Sequence, residues 1–451
     1  MSAAADPPPI EVHAGEDVDL SPLLTLPRAA LITRLAAIFP AAAGSASRLA
    51  AEPPALRGGR AAAVARLAAV DPPAYARSRN HVDGAVSRLS PWIRHGVLSL
   101  AEVRDAALAR VLRPEDAEKF VSELGWRDYW RRVQAALGDG IFTDIESPAR
   151  TARRPQPLAA MPADVLEART GMACIDAFVR ALHDTGWLHN HERMWLASWL
   201  VHVRGVHWRA GADWFLTHLL DGDPASNHLS WQWVAGTFSA KPYLFNRENL
   251  ETYTSGRHCR DCPLLGHCDV EGSYEAIDAR LFSPGTPPRP PLRIRPAAPW
   301  SSAAATNDHH RPLVWLTLDS AAATSPAATA HPDAPRLFVI DRQWLASERP
   351  SLGRLAFLFE CLADVPGVEV RVGDAAVLVA ARAAALNCDA VAVADSPCPQ
   401  VRRAAAAIPA TLPVRVVAWP PLCDASRVDD LGRFSRYWQR VSRSALRPTG
   451  S

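Results

Sequence analysis

The chain has 451 residues, is 48% hydrophobic and carries a formal net charge of only +2. This length is enough for two or three domains, and the near-neutral charge excludes nucleic-acid binding through bulk charge, so any DNA surface has to come from local arginines. The sequence has neither a signal-peptide pattern nor an apolar run long enough to cross a membrane, which predicts a cytoplasmic protein. Eight cysteines in such a protein favour free thiols or a metal site over disulfides.

Four regions follow one another along the chain. Residues 1–55 are rich in proline and alanine, contain one plausible helix near 28–39, and are expected to form a loosely attached arm. Residues 56–283 have apolar residues at three- and four-residue spacing, which predicts a helical domain. Residues 284–312 have the composition of a proline-rich linker. In 313–451 short apolar runs of strand length alternate with helical segments, which predicts a Rossmann-like α/β domain with a parallel sheet.

A tryptophan-rich segment, residues 187–233, stands out within the helical region. Its apolar residues recur at helical spacing and predict a buried helix over 187–204; they are Leu196, Trp199, Leu200 and Val203. Polar groups in such an aromatic setting need partners, and Arg193 facing an aspartate of Asp221–Asp223 would form such a pair. For any single tryptophan, a ligand-free aromatic core is a sufficient explanation.

Several ordered motifs in this segment resemble the flavin-binding helical domain of the photolyase/cryptochrome family. They are Thr185–Met194, Trp208–Gly211, Asp221–Asn227 and Trp231–Trp233. The resemblance implies a non-covalently bound FAD, with Arg193 and Asp221 paired against the isoalloxazine ring. It also implies that Asp223 contacts the ring or the ribityl edge and that Asn227 faces N5. An amide suits that position, because it can stabilise N5 with or without a proton.

The segment Val86–Pro91 resembles the phosphate-binding loop of the same family, with Val86 in place of a threonine. The resemblance assigns the cofactor to Ser87, Arg88, Leu89 and Ser90, at a helix start that suits a pyrophosphate. It further assigns Tyr75 to the flavin phosphates and Arg79 to a DNA phosphate, and it adds Arg127 and Asn190 to the cofactor-binding set. Taken alone, the loop would equally be an ordinary helix cap.

A second set of matching residues implies a pocket for a DNA lesion. Trp126 and Trp233 match the two stacking tryptophans of the family, and stacking is what a flipped-out base needs to replace its lost neighbours. Glu123 matches the carboxyl that hydrogen-bonds a pyrimidine dimer, while Asn190 and Met194 match the remaining contacts of the cyclobutane-dimer class. The expected function is therefore light-dependent repair of UV-damaged DNA by a monomeric lyase. The alternative is a cryptochrome-like photoreceptor that signals without repairing.

Two further features extend the resemblance. Trp231 and Trp208 match two members of the family's electron relay, and the third has no clear counterpart. The α/β region resembles the family's antenna domain in several short stretches, among them Phe338–Asp341 and Arg354–Leu358. That domain usually comes first, so the order in this chain predicts a circular permutation. The family's arginine-rich motif after the first strand is missing, and the sequence does not indicate which antenna chromophore, if any, is bound.

Three cysteines lie close together in the sequence. Cys259, Cys262 and Cys268 are one thiolate short of a four-thiolate site. Cys174 stands where the iron–sulfur branch of bacterial photolyases and cryptochromes has a cysteine, and this implies a four-iron, four-sulfur (4Fe-4S) cluster. Zinc is the alternative, because four thiolates suit it equally. The other cysteines are expected to be packed thiols; they are Cys361, Cys388, Cys398 and Cys423.

Overall fold

The computed structural model describes residues 17–42, 44, 56–153, 157–284, 290, 292–300 and 311–448. Its α/β part contains the strands β1 Val18–Asp19, β2 Pro312–Leu316, β3 Arg336–Asp341, β4 Val368–Gly373, β5 Ala390–Ala394 and β6 Val414–Val417. They form one sheet in the order β1-β4-β3-β2-β5-β6, in which β2 to β6 are parallel. The predicted class, a helical domain followed by a Rossmann-like parallel-sheet α/β domain, is thereby confirmed. The central strands β2 and β5 are buried along their whole length, because helices cover both faces of the sheet.

Helices account for the rest of the regular structure. Those of the helical part are Arg60–Ala68, Pro72–Ser78, Ser90–Arg94, Leu100–Leu108, Glu118–Leu137, Ala163–Leu166, Ala173–Thr185, Asn190–Ser198, Trp208–His218, Pro224–Ala235, Arg247–Thr254 and Tyr274–Leu281. Those of the α/β part are Arg28–Ile38, Pro326–Ala330, Arg342–Glu348, Leu352–Leu362, Ala375–Ala385 and Pro399–Ala407. The last helix, Phe434–Ala445, follows the sheet in the sequence but packs into the core of the helical part. Among the described residues, no helix is both long and apolar enough to cross a membrane.

The N-terminal segment is packed onto the α/β sheet. Strand β1 pairs antiparallel with β4, and the helix Arg28–Ile38 buries Leu31, Ile32 and Leu35 against the α/β core. Arg28 also forms an ion pair with Glu360 at 2.5 Å. The sequence predicted a loosely attached arm, but residues 18–38 are firmly attached. Their apolar side chains pack against the helix Leu352–Leu362, more than 300 residues later in the chain. Residues 1–16 and 45–55 lie outside the described part of the chain.

The tryptophan-rich helix is shorter than the sequence predicts. It begins at Asn190, because His189 caps it in a reciprocal arrangement with Glu192. It ends at Ser198 and continues as a π-helical turn over Trp199–Val203. The prediction of one α-helix over 187–204 is thus wrong at its first three positions and in its last turn. It rested on the spacing of apolar residues, and neither the cap nor the π-helical turn changes that spacing, so the sequence pattern did not reveal them.

The two domains meet at Gly222. Arg354 of the α/β domain, 1% exposed, donates to the carbonyl oxygens of Leu216 and, at 2.9 Å, Gly222. Arg94 Nε donates to the same Gly222 oxygen at 2.8 Å and its guanidinium pairs with Asp319. A Cβ on Gly222 would lie 3.0 Å from Arg354 Cζ, so a larger residue would crowd this contact. The turn at Gly222 is therefore held by one side chain from each domain, Arg94 of the helical domain and Arg354 of the α/β domain.

Candidate functional site

A cavity of about 480 Å³ opens between the helices Glu118–Leu137, Asn190–Ser198 and Pro224–Ala235. Most of the predicted site residues line it: Arg79, Ser90, Glu123, Trp126, Arg127, Asn190, Arg193, Met194, Asp221, Asn227, Trp231 and Trp233. The set includes residues predicted for the cofactor and residues predicted for the lesion, so both lie around one space. Of the residues predicted for the flavin, the electron relay and the DNA, those outside this lining are Tyr75, Ser87, Arg88, Leu89, Asp223 and Trp208.

An ion pair forms part of the cavity wall. Arg193 Nη2 lies 2.9 Å from Asp221 Oδ2, and Arg193 Nε donates to Leu188 O at 3.1 Å. Burial raises the pKa of the Asp221 carboxyl, but Arg193, Ser90 and Arg127 outweigh burial and hold that pKa below its usual range. Asp221 Oδ1 is buried and makes no hydrogen bond with the described residues. A buried acceptor without a donor is unfavourable, so the N–H of a bound flavin ring would fit here.

Asn227 offers a second group with a fixed orientation. The residue is 9% exposed, and its Nδ2 donates to Ala212 O at 2.8 Å. Because a carbonyl oxygen can only accept, this contact determines which end of the amide is the nitrogen. The Asn227 oxygen is therefore the end left to accept from a ligand N–H, and the residue lines the cavity.

Asp223 lies outside the cavity lining and caps the helix Pro224–Ala235. Its Oδ2 accepts from Ser226 N at 3.2 Å and from Ser226 Oγ at 2.7 Å, at the start of the helix that carries Asn227. Burial raises the pKa of Asp223, but Arg127 and Arg94 outweigh this effect and hold the pKa well below its usual range. The structure thus gives Asp223 a positioning contact, and its expected contact with flavin stays a prediction.

The predicted phosphate loop is only partly directed at the cavity. Ser90 begins a short helix and lines the cavity, whereas Leu89 is buried in the core. Arg88 has a φ of 52°, and its guanidinium lies 4.5 Å from the centroid of the Trp187 ring. Tyr75 packs edge-on against Phe120 with 5.2 Å between ring centroids. The contacts expected of Ser87, Arg88, Leu89 and Tyr75 with flavin phosphates therefore stay predictions.

A cluster of charges lies at the cavity around Glu123. Its Oε1 lies 3.2 Å from Arg79 Nη1 and 2.9 Å from Lys119 Nζ. Sequence reasoning missed Lys119, although a lysine four residues before a glutamate on a helix is a known pairing. Asn190 Nδ2 lies 3.3 Å from Met194 Sδ, one turn along the neighbouring helix.

Two partly buried tryptophans face this cavity. Trp126 stacks on Phe434 with 3.8 Å between ring centroids and 14° between planes. Trp233 packs against Tyr243 at 5.7 Å and 34°. Both indoles line the cavity. Phe434 was missed from the sequence, because it is 308 positions from Trp126 and no local pattern joins them.

The two predicted relay tryptophans lie on helices that pack closely. Trp231 lines the cavity and contacts Phe215 edge-on at 5.0 Å. A Cβ on Gly211, in the helix that begins at Trp208, would lie 2.3 Å from the Trp231 ring. Trp208 donates its Nε1 to Asp144 Oδ1 at 2.6 Å and lines a separate groove.

The four predicted metal ligands surround a second, much smaller cavity. Cys174, Cys259, Cys262 and Cys268 all line this space of about 20 Å³. Burial, with Cys259 beside it, raises the pKa of the Cys174 thiol to about 12. Among the described residues, no group of three or more His, Cys, Asp or Glu side chains has the arrangement of a metal-ion site. The four cysteines thus line one cavity, while their role as ligands and the cluster that they would hold stay proposals.

Acid should weaken the start of the helix that carries Arg193. His189 Nδ1 accepts from His191 N at 3.1 Å, and its Nε2 lies 3.0 Å from Arg79 O, so the ring must be neutral with its proton on Nε2. Burial lowers the pKa of His189 to about 4. Because the pKa is lowered, this stability is complete above the ordinary value of about 6.5 and is lost as the pH falls towards 4.

Between pH 7.5 and pH 5 the loss from this one histidine should be about 2 kcal/mol of unfolding free energy. The measurement is urea unfolding at both pH values for the wild type and for His189→Asn, whose amide caps without titrating. The variant should lose less stability on acidification by about that amount. Equal losses in the two proteins would contradict the assigned proton.

Comparison with known proteins agrees with this geometry. Residues 120–258 match the family model described as the FAD binding domain of DNA photolyase. The chain is 41% identical over 157 residues to a deoxyribodipyrimidine photo-lyase of Streptomyces griseus, covering 34% of this chain and 32% of that protein. It is 35% identical over 168 residues to the cryptochrome DASH, chloroplastic/mitochondrial, of Oryza sativa subsp. japonica, covering 36% and 28%. The chain thus spans about a third of the length of these curated relatives.

Among solved structures, the cryptochrome of Synechocystis sp. PCC6803 is 28% identical, with a TM-score of 0.39 and coverage of 44% of each chain. The family-model match, residues 120–258, contains the lining residues of the large cavity except Arg79, Ser90 and Lys119. Residues 120–258 are therefore similar in sequence to the FAD binding domain of DNA photolyase, and this similarity covers less than a third of the chain.

Proposed function

We propose that the protein is a light-dependent DNA repair enzyme that binds FAD non-covalently and splits cyclobutane pyrimidine dimers. One observation carries this proposal: the cofactor-type residues Arg193, Asp221 and Asn227 and the lesion-type residues Glu123 and Trp233 line the same cavity. An electron can pass directly between two ligands only if they are neighbours. The photo-lyase of Streptomyces griseus, 41% identical over the matched residues, supports the same activity.

When bound, a photoexcited reduced flavin supplies one electron to the dimer and takes it back after the ring opens. The protein's part is to hold and orient. Trp126 and Trp233 would stack on the flipped bases, and stacking contributes about 1–3 kcal/mol per base. Phosphates of the entering DNA compete with Glu123 for Arg79 and Lys119, which frees that carboxyl to face the dimer. The Asn227 oxygen would accept from a protonated flavin N5.

The second candidate function is a cryptochrome-like photoreceptor without repair activity. The ion pairs of Glu123 with Arg79 and Lys119 favour this function, because a carboxylate that is already paired is not free to bind a pyrimidine dimer. The 35% identity to a cryptochrome DASH supports it as well.

For the four cysteines, we propose a 4Fe-4S cluster, with zinc as the alternative. The donor set fits either group, because four thiols from two distant segments line one small cavity. A cation at this place would also favour the thiolate forms that burial disfavours. The cluster would join the helix Ala173–Thr185 to the segment around Cys262.

For the α/β domain, we propose an antenna-like role in a circularly permuted order. A cavity of about 280 Å³ lies between the domains, beyond the carboxyl ends of β2, β5 and β6, and is lined in part by Arg131, Trp300 and Trp419. Parallel sheets bind ligands at this edge, so it is the place where a second chromophore would lie.

The repair proposal is tested with an oligonucleotide that contains one dimer, photoreduced protein and light. Trp233→Ala should weaken binding of this oligonucleotide about 5- to 150-fold through lost stacking, and Glu123→Gln should slow dimer splitting at full occupancy. Tyr274→Ala and Glu115→Gln, at exposed positions outside the cavity, serve as controls.

Light-dependent splitting that survives both cavity variants would show that the lesion binds elsewhere. Fully reduced wild-type protein that neither repairs nor prefers damaged DNA would favour the photoreceptor.

A further inference from the structure

The C-terminal helix Phe434–Ala445 and the turn after it form the most one-sided charged segment among the described residues. Between residues 433 and 447 the sequence has five arginines and no acidic residue. The whole chain, in contrast, has 49 basic and 47 acidic residues. The positive charge is thus concentrated locally while the bulk charge stays near zero.

Three of these arginines form what we name the C-terminal arginine stripe: Arg440, Arg443 and Arg447. All three are exposed. Arg440 and Arg443 lie three residues apart on one helix face, about 4.5 Å apart along the axis, and Arg447 follows in the turn after the helix, where its N–H bonds to Ser444 O at 3.2 Å. Within the described part of the chain none of them has an acidic partner, whereas Arg436 pairs with Asp430 at 2.7 Å.

The opposite face of this helix is fixed against the helix of the cavity. A Cβ on Gly125 would lie 2.5 Å from the Trp438 ring, and Phe434 stacks on Trp126. Tyr437 and Val441 are fully buried in the same core. The apolar face is therefore already used for packing, so it is not available for insertion into a lipid surface. The stripe is held on the outside of the element that carries Trp126.

We propose that the C-terminal arginine stripe binds the sugar-phosphate backbone of duplex DNA beside the nucleotides that enter the cavity. The inference rests on the proposed repair function for the identity of the partner. Each phosphate neutralised by an arginine releases a condensed counterion, and this favours binding at low salt. Arginines without acidic partners contribute most, because no internal ion pair has to be broken first.

The test compares two variants that each remove three charges. One is Arg440→Gln/Arg443→Gln/Arg447→Gln, and the control is Arg169→Gln/Arg295→Gln/Arg349→Gln, at exposed positions elsewhere. Fluorescence anisotropy measures binding of a long dimer-containing duplex, a long intact duplex and a short dimer-containing single strand over a series of salt concentrations.

The stripe variant should bind both duplexes at least about 10-fold more weakly than the wild type. The negative slope of log association constant against log salt concentration should become shallower by about 2 to 3, because up to three phosphate contacts are lost. Its affinity for the short strand, which fills only the cavity, should equal that of the wild type, and the control should resemble the wild type throughout. Thermal unfolding of all three proteins checks that they are equally folded.

Equal duplex binding by the stripe variant and the wild type would overturn the inference, as would equal weakening by the control. Stripe-dependent binding to vesicles of anionic lipid, with no stripe-dependent duplex binding, would overturn it too. A fourth outcome separates the two proposals. If the stripe variant binds both duplexes more weakly than the wild type, but the wild type binds the dimer-containing duplex no better than the intact one, the repair function fails and the stripe is supported.

Discussion

Asp221→Ala protein is expected to be purified almost without flavin. The substitution removes the carboxylate that pairs with Arg193 at 2.9 Å and leaves that guanidinium without its anion at the cavity wall. It also removes Oδ1, the buried acceptor that has no hydrogen bond of its own. Loss of a hydrogen bond to a charged group costs about 1.5–3 kcal/mol, so FAD affinity should fall about 10- to 150-fold.

The measurement is the amount of flavin released per chain on denaturation, together with titration of the apoprotein with FAD. Arg193→Ala should show the same defect, because it leaves Asp221 unpaired. Asp116→Ala is the matched control, since that aspartate pairs at 2.9 Å with the exposed Arg113 in the same domain and lies outside the cavity lining. Full flavin occupancy in both cavity variants would refute the assignment of the cofactor to this cavity.

Cys174→Ser is expected to lose the metal and to destabilise the helical domain by several kcal/mol. The four thiols come from the helix Ala173–Thr185 and from the segment after the helix Arg247–Thr254, and they line one cavity. Metal binding joins these segments, and its free energy adds directly to that of folding. Thermal unfolding and metal analysis of the purified protein measure the two effects.

Wild-type protein should contain about four irons per chain, as the proposed 4Fe-4S cluster requires. One zinc and no iron would reject the cluster but keep the four-cysteine site. Cys388→Ser, a half-buried cysteine of the α/β domain, is the matched control and should retain the metal. If Cys174→Ser kept both metal content and stability, the four-cysteine assignment would be wrong.

Local patterns and ordered motifs were sufficient for much of this molecule. The alternation of short apolar runs with helical segments predicted the parallel sheet, because strands buried on both faces need continuous apolar residues. The aromatic setting of Arg193 predicted an acidic partner in the segment Asp221–Asp223, because an unpaired buried charge is costly, and Arg193 does pair with Asp221. In these cases the residue types themselves specify the contact.

The features that the sequence did not predict share a physical cause, which is that the decisive partner lies far away in the sequence. Phe434 covers Trp126 from the other end of the chain. Strand β1 exists only because β4 provides an edge for it.

The support of Gly222 has a consequence for how the protein is made. One donor to its carbonyl, Arg94, is synthesised before it, and the other, Arg354, follows 132 residues later. On the ribosome, the helical domain therefore emerges first with the turn between Asp221 and Asp223 held from one side only. The cofactor site acquires its full set of contacts only when the second domain has been translated and has docked.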